Sequence, residues 1–234
     1  MGTQQVAEWI EQEYHVKPLI IESETVNSPG KVKRMLEQIQ GNDSHILIWT
    51  ALLAQPIRDY TFDLLIFLNA DLWLNIPDYN VNERNFQLLY EAFTKHSCNN
   101  FVVQSMKVDQ FSLRFACKLD KEGFYEQEYA FRKQFLYPPF GELCVILYKD
   151  EIESKMFKKV DSLYQELLYL QQKYDMQEME IYATPPMIYK MFGKYRYNII
   201  LKGKEVRNFM DIVYTKLNFY KKGFKIDRMA ESIV

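Results

Sequence analysis

Glycine and proline are scarce, eight of each in 234 residues, so long flexible linkers are excluded. No Gly-x-x-x-x-Gly-Lys-Ser/Thr loop and no Gly-x-Gly-x-x-Gly turn after a strand occurs. With so little glycine, a self-contained phosphate cradle of backbone N–H groups is hard to build. The Gly-x-Ser-x-Gly and His-Glu-x-x-His signatures of hydrolases and zinc peptidases are missing too. The three cysteines, Cys98, Cys117 and Cys144, show no Cys-x-x-Cys spacing. That odd count, together with an amphipathic, acidic N-terminus unlike a signal peptide, points to reduced thiols, a cytoplasmic location and no zinc site. His15, His45 and His96 fall in three different elements, with nothing to make them converge, so they read as structural or solvated. No apolar run approaches the roughly 20 residues needed to span a bilayer, so no membrane association is expected. No cofactor is implied.

What is there is ordinary in bulk and uneven in detail. The chain is 48% hydrophobic and 26% charged, as globular proteins are, with a net charge of −2. Residues 1–141 carry 13 Lys and Arg against 18 Asp and Glu, whereas 142–234 carry 16 against 13. Within 186–228 the count is 11 basic against 3 acidic, with nine Tyr or Phe interleaved. Such a segment suits phosphate neutralisation and base stacking; the plainer reading is a solvated face over core aromatics.

Hydrophobic periodicity divides the chain. Val6, Trp9, Ile10 and Tyr14 share a helix face, with Thr3 as N-cap. Pro18 ends that helix, and Leu19–Ile21 reads as a buried strand. Val32, Met35, Leu36 and Ile39 repeat at helical spacing up to Gly41. The runs His45–Trp49 (HILIW) and Leu64–Leu68 (LLIFL) read as strands covered on both faces. Asn82 caps a helix to about Lys95, and Phe101–Gln104 is a further strand. Helices alternating with buried strands imply an α/β layer with a mainly parallel sheet. One helical stretch is expected from about Phe111 to Phe135, ended by Pro138 and Pro139. The order then becomes strand (143–148), helix (152–174), strand (180–183), strand (195–201), helix (205–220), strand (223–228). That is β-α-β-β-α-β, an α+β split-βαβ arrangement. The expected domains are 1–104, a connecting helical segment 105–141, and a basic domain 142–234.

Asp71, in Asn69-Ala70-Asp71 at the end of a strand, stands where α/β proteins place metal or nucleotide ligands. With no second carboxylate nearby, the favoured reading is a strand-terminating Asp that satisfies local backbone donors.

Five strings, in order, resemble one family over essentially the whole chain, the primosomal protein N′ replication-restart helicases. They are Gly2-Thr3-Gln4-Gln5-Val6; Ile76-Pro77-Asp78-Tyr79 with Asn82-Glu83-Arg84 and Gln87-Leu88-Leu89; Phe124-Tyr125-Glu126-Gln127-Glu128; Pro138-Pro139-Phe140-Gly141; and Gly193-Lys194-Tyr195-Arg196-Tyr197. The resemblance implies a RecA-like second helicase lobe over 1–104 and a C-terminal domain that contacts branched DNA and single-strand-binding protein. It covers the last two pieces of the family's protein, not its first motor lobe or zinc module.

The departures from the family bear on activity. Where its fifth helicase motif has Thr-Gln-Met-Leu-Ala-Lys-Gly, this chain has Thr50-Ala51-Leu52-Leu53-Ala54-Gln55-Pro56. Where it has Gln-x-x-Gly-Arg-x-Gly-Arg, this chain has Glu91-Ala92-Phe93-Thr94-Lys95-His96-Ser97-Cys98, without either arginine. Lys95 keeps a charge but lacks the planar fork that stabilises transferring phosphoryl charge. The expectation is a non-catalytic, degenerate relative that binds DNA forks, single strands or single-strand-binding protein. The alternative is the second lobe of a split ATP-dependent DNA helicase whose first lobe is on another chain. The expected binding residues are Lys194, Arg196, Lys202, Lys204, Arg207, Lys221, Lys222 and Lys225. Strand alternation puts Lys194 and Arg196 outward and Tyr195, Tyr197 and Ile199 toward the core.

Overall fold

The computed structural model describes residues 2–21, 34, 37, 45–49, 61–217 and 223–233. The helix expected over 32–39, residues 34 and 37 apart, lies outside these, as do the Thr50–Pro56 run, Lys221 and Lys222. Helices and strands are mixed, and the chain forms two compact units, Met1–Asn69 with Gln87–Ser105 and Ala70–Phe86 with Met106–Val234.

The first unit opens with α1 (Thr3–Tyr14). Its N-cap is Gly2 rather than Thr3, and the Gly2 N–H donates to Gln5 Oε1 at 3.1 Å. The face turned inward centres on Ala7, flanked by Val6 and Ile10; Trp9 and Tyr14, expected on it, are exposed and meet edge to face. Strand β1 (Leu19–Ile21) pairs in parallel with β2 (Leu47–Trp49). Strand β3 (Thr61–Phe67) pairs in parallel with β4 (Ser97–Val103), and parallel neighbours require a crossover between them. That crossover includes α2 (Val81–Lys95), which gives this unit its residues from Gln87 on, with Leu89 and Phe93 buried.

The parallel pairs fit an α/β layer, but the LLIFL run is not covered on both faces. Leu65 is buried, while Leu64, Ile66 and Leu68 are about half exposed. Alternation puts Leu64 and Ile66 on one face of β3, with Leu68 just past its end, and that face is turned to solvent. His96, just past α2, is buried against the edges of Trp49 and Phe62, a structural histidine.

In the second unit a single helix over 111–135 was expected, and there are two: α3 (Phe111–Cys117) and α4 (Lys121–Gln134). The break falls at Lys118–Asp120. Leu119 has φ 55°, and the Asp120 carboxylate caps α4 by accepting from the Gly123 N–H at 2.9 Å. The Pro-Pro-Phe-Gly string then turns the chain into the sheet. A Cβ on Gly141 would lie 2.1 Å from the Leu136 carbonyl oxygen, so the string is explained by tight backbone packing.

The sheet consists of β5 (Glu142–Asp150), β6 (Met179–Thr184), β8 (Lys194–Gly203) and β9 (Lys225–Asp227) in the order β6-β8-β5-β9, all antiparallel; the two-residue β7 (Lys190–Met191) pairs with the start of β8. Helices α5 (Glu153–Lys173) and α6 (Val206–Leu217) complete a β-α-β-β-α-β order. In α5, Met156, Val160, Leu163, Leu167 and Leu170 repeat at helical spacing and are buried. They pack with Phe209, Met210 and Val213 of α6 against Cys144, Ile146, Ile181, Ile199 and Leu201 of the strands. Burial pushes the Cys144 thiol up to about 12. A thiol reagent at pH 8 should therefore label exposed Cys117 in the native protein and Cys144 only after unfolding. Labelling of all three thiols at one rate without denaturant would contradict this packing.

Candidate functional site

Alternation along β8 sorts the side chains. Tyr195, Tyr197, Ile199 and Leu201 face the helices and join the core. Arg196, Asn198, Ile200 and Lys202 take the opposite face, which Leu143, Val145, Leu147 and Lys149 of β5 share through their register.

That second face is covered at one end and open at the other. Tyr79, Leu143, Ile200 and Ala230 form a small buried cluster, with Tyr137, Tyr182 and Ile233 packed on it. The segment after β9 is held down by side chains: Asp78 accepts from the Ser232 hydroxyl and from the Ile233 N–H, Asn80 donates to the Glu231 carbonyl, and Asn198 donates to that of Ile233. Beyond this strap an open groove of about 550 Å³ runs between Arg84, Val145, Leu147, Arg196, Asn198, Lys225, Asp227, Met229, Glu231 and Ser232. Three cations and two carboxylates line it, and Lys149 lies directly across from Arg196 in the sheet.

The structure does not gather the expected binding residues into one patch. Lys194 and Lys204 lie at opposite ends of β8, roughly 33 Å apart at about 3.3 Å per residue. Several are engaged by carboxylates: Lys194 with Glu151 at 3.6 Å, Lys202 with Glu180 at 3.0 Å, Lys204 with Glu178 at 3.0 Å and Arg207 with Glu142 at 3.3 Å. Lys202 is also buried, its ammonium 4.7 Å from the centre of the Tyr137 ring. Glu142 accepts from the Arg207 N–H as well, so this pair serves the start of α6. Lys221 and Lys222 lie outside the described residues. Arg196 and Lys225 both line the groove.

Two cations, one lining the groove and one across the sheet from Arg196, escaped the sequence reading. Arg84 belongs to the Asn82-Glu83-Arg84 string, and Lys149 continues the alternation Val145, Leu147, Lys149 on β5; that alternation was the available signal. Among the described residues no carboxylate lies within ion-pair distance of Arg84, Lys149, Arg196 or Lys225. Arg84 instead sits 6.0 Å from the centre of the Trp73 ring.

Asp71, past the end of its strand, makes a backbone contact. Its carboxylate accepts from the Met106 N–H at 2.6 Å, a backbone donor distant in sequence rather than a local one. Among the described residues no three His, Cys, Asp or Glu side chains converge on a possible metal position. Among the same residues no helix is long and apolar enough to cross a membrane.

No family model matches the chain. Curated proteins named replication restart protein PriA do. The one from Borreliella burgdorferi is 25% identical over 203 residues, 79% of this chain and 30% of its own length. The one from Chlamydia pneumoniae is 23% identical over 210 residues, 88% of this chain and 28% of its own. The one from Bacillus subtilis is 24% identical over 237 aligned residues, 99% of this chain and 29% of its own. The chain thus spans less than a third of the length of these relatives, and what it matches is the C-terminal part of the replication restart protein PriA.

Proposed function

We propose that this chain is a DNA-binding module of replication restart that acts at branched or single-stranded DNA without hydrolysing ATP by itself. The observation that carries this reading is the groove on the sheet face away from the helices, where Arg84, Arg196 and Lys225, with Lys149 across the sheet from Arg196, have no ion-pair partner among the described residues. Cations already held by carboxylates have less to gain from a phosphate, whereas unpaired ones can displace its condensed counterions. The similarity to PriA supports the choice of DNA as the polyanion. In this reading the first unit, with its parallel strand pairs, is a degenerate second motor lobe. Glu91 and Lys95, at positions of the missing arginine motif, form an exposed ion pair with each other at 2.5 Å. They offer no guanidinium to a phosphate.

Anisotropy titrations with forked, single-stranded and duplex DNA at two salt concentrations test the proposal. Replacing Arg84, Arg196 and Lys225 together by Ala should flatten the salt dependence by about 0.7–0.9 log units for each lost phosphate contact. Near 0.1 M salt the affinity should fall on the order of tenfold per contact. Alanine at Lys194 and Lys204, both held by glutamates, should have a much smaller effect. An unchanged salt slope in the triple variant, or no DNA binding at all, would overturn the reading. DNA-stimulated ATP turnover by this chain alone would overturn its non-catalytic part.

A further inference from the structure

The hairpin between β7 and β8 turns through Phe192 and Gly193. Lys190 pairs with Tyr195 and Met191 with Lys194, leaving a two-residue loop with φ 50° at Phe192 and 77° at Gly193. Positive φ at both central residues is the twisted turn that joins antiparallel strands best, and Asn-Gly or Asp-Gly normally supplies it. A bulky aromatic at the first position is disfavoured, because its Cβ crowds the backbone in the left-handed region. Phe192 gains nothing from burial in return: it is 92% exposed. Met187, Ile188 and Met191 beside it are exposed as well. An apolar tip in an unfavourable backbone conformation is not explained by folding, and such outliers collect at functional positions.

The surroundings of the tip are basic. Lys190 and Lys194 flank the turn, with the Lys190 ammonium 4.3 Å from the centre of the Tyr195 ring. The hairpin is tied to the groove: the Arg196 N–H donates to the Tyr189 carbonyl at 2.8 Å, and its guanidinium lies 3.4 Å from that of Ile188. At about 3.3 Å per residue the tip stands roughly 13 Å along β8 from Arg196. The Tyr189 hydroxyl donates to Glu153 at 2.6 Å, which anchors the base of the hairpin to α5.

We infer that Phe192 is a base-stacking wedge that engages an unpaired or terminal base at a DNA branch while the cations behind it hold the adjoining phosphates. This rests on the DNA-binding reading above. The occupant follows from charge and shape together: Lys190, Lys149 and Arg196 near the tip select a polyanion, and an exposed aromatic face among cations suits a base that has left its stack. Apolar side chains of the kinds found here, Phe, Ile and Met, are those that proteins insert between base steps.

The test uses Phe192→Asn, which places the preferred residue in the turn, and Phe192→Trp, which keeps a stacking face. Phe192→Asn should unfold in urea at the wild-type midpoint or above it. It should bind a fork about tenfold more weakly while binding fully paired duplex within twofold of wild type. Wild type and Phe192→Trp should quench 2-aminopurine placed at the branch point, and Phe192→Asn should not. If wild type binds both DNAs and Phe192→Asn keeps the same fork-to-duplex ratio and quenching, the wedge is refuted while the DNA reading stands. If wild type binds neither DNA, both fail. Loss by Phe192→Asn of binding to anionic phospholipid vesicles, with fork binding intact, would overturn the wedge in favour of a membrane contact.

Discussion

Replacing Phe124 by Ala is expected to cost about 3–5 kcal/mol of folding stability, the upper range for emptying an aromatic core position. Phe124 is fully buried. Its ring lies parallel to that of Phe86 with centroids 3.9 Å apart, Phe111 stacks at 5.5 Å, and Phe115 and Tyr125 approach edge on. Truncation removes the one ring that all four partners touch, so the cavity cannot be closed by moving a single neighbour. Urea unfolding should show the loss as a lower midpoint at unchanged slope. Phe86→Ala should be less than additive with it, because the two substitutions empty the same space. A loss below about 1 kcal/mol would mean that this aromatic cluster collapses freely, contrary to its packing.

Phe124 also shows what a sequence can and cannot reveal. Its string, Phe124-Tyr125-Glu126-Gln127-Glu128, was legible as a marker of family resemblance and of helical spacing. That the same helix starts at Lys121 was not, because the break depends on Leu119 adopting φ 55° and on the Asp120 carboxylate reaching the Gly123 N–H. Strongly periodic elements such as α5 were plain, since five buried residues at helical spacing fix a helix face without reference to anything distant. The LLIFL run was plain as a strand and misleading as to cover. An apolar run does not report what packs on each face of its strand, and Leu64 and Ile66 of β3 are about half exposed.

The candidate site was legible by composition and not by arrangement. Counting cations over 186–228 picked out Arg196 and Lys225, two of the three cations that line the groove. Pairing was invisible, because it is set by register between strands distant in sequence. Glu180 stands opposite Lys202 only once β6 pairs with β8, and that pairing engages an expected binding residue with a carboxylate. Arg84 could not be assigned from local sequence either. Its place in the groove depends on residues 70–86 belonging to the same compact unit as the sheet.

Replacing Arg132 by Met should destabilise the protein by about 3–5 kcal/mol at pH 7, and by less in acid. Arg132 is buried, with Nε donating to Glu128 at 2.8 Å, one terminal nitrogen donating to Glu83 at 2.6 Å and the other to the Pro138 carbonyl at 3.2 Å. Its guanidinium also lies 5.3 Å from the centre of the Tyr79 ring. Glu128 is completely buried, and its Oε2 has no hydrogen-bond partner. Burial pushes the Glu128 carboxyl above its ordinary 4.5, against the opposing pull of Arg132. A carboxyl whose folded value is raised contributes its stability fully below the ordinary value and loses it as pH rises through the raised one. The fold therefore holds an ionised Glu128 only at a cost that Arg132 limits. Without Arg132 that charge is uncompensated, which is why the loss should shrink in acid, as Glu128 takes up a proton. Glu128→Gln keeps the acceptor for Nε and abolishes the titration. Compared with wild type, it should gain in relative stability between pH 4 and pH 7. Urea unfolding across that range decides the matter: a difference between wild type and Glu128→Gln that stays constant, or drifts in favour of wild type as pH rises, would show that Glu128 is not the strained member of this network.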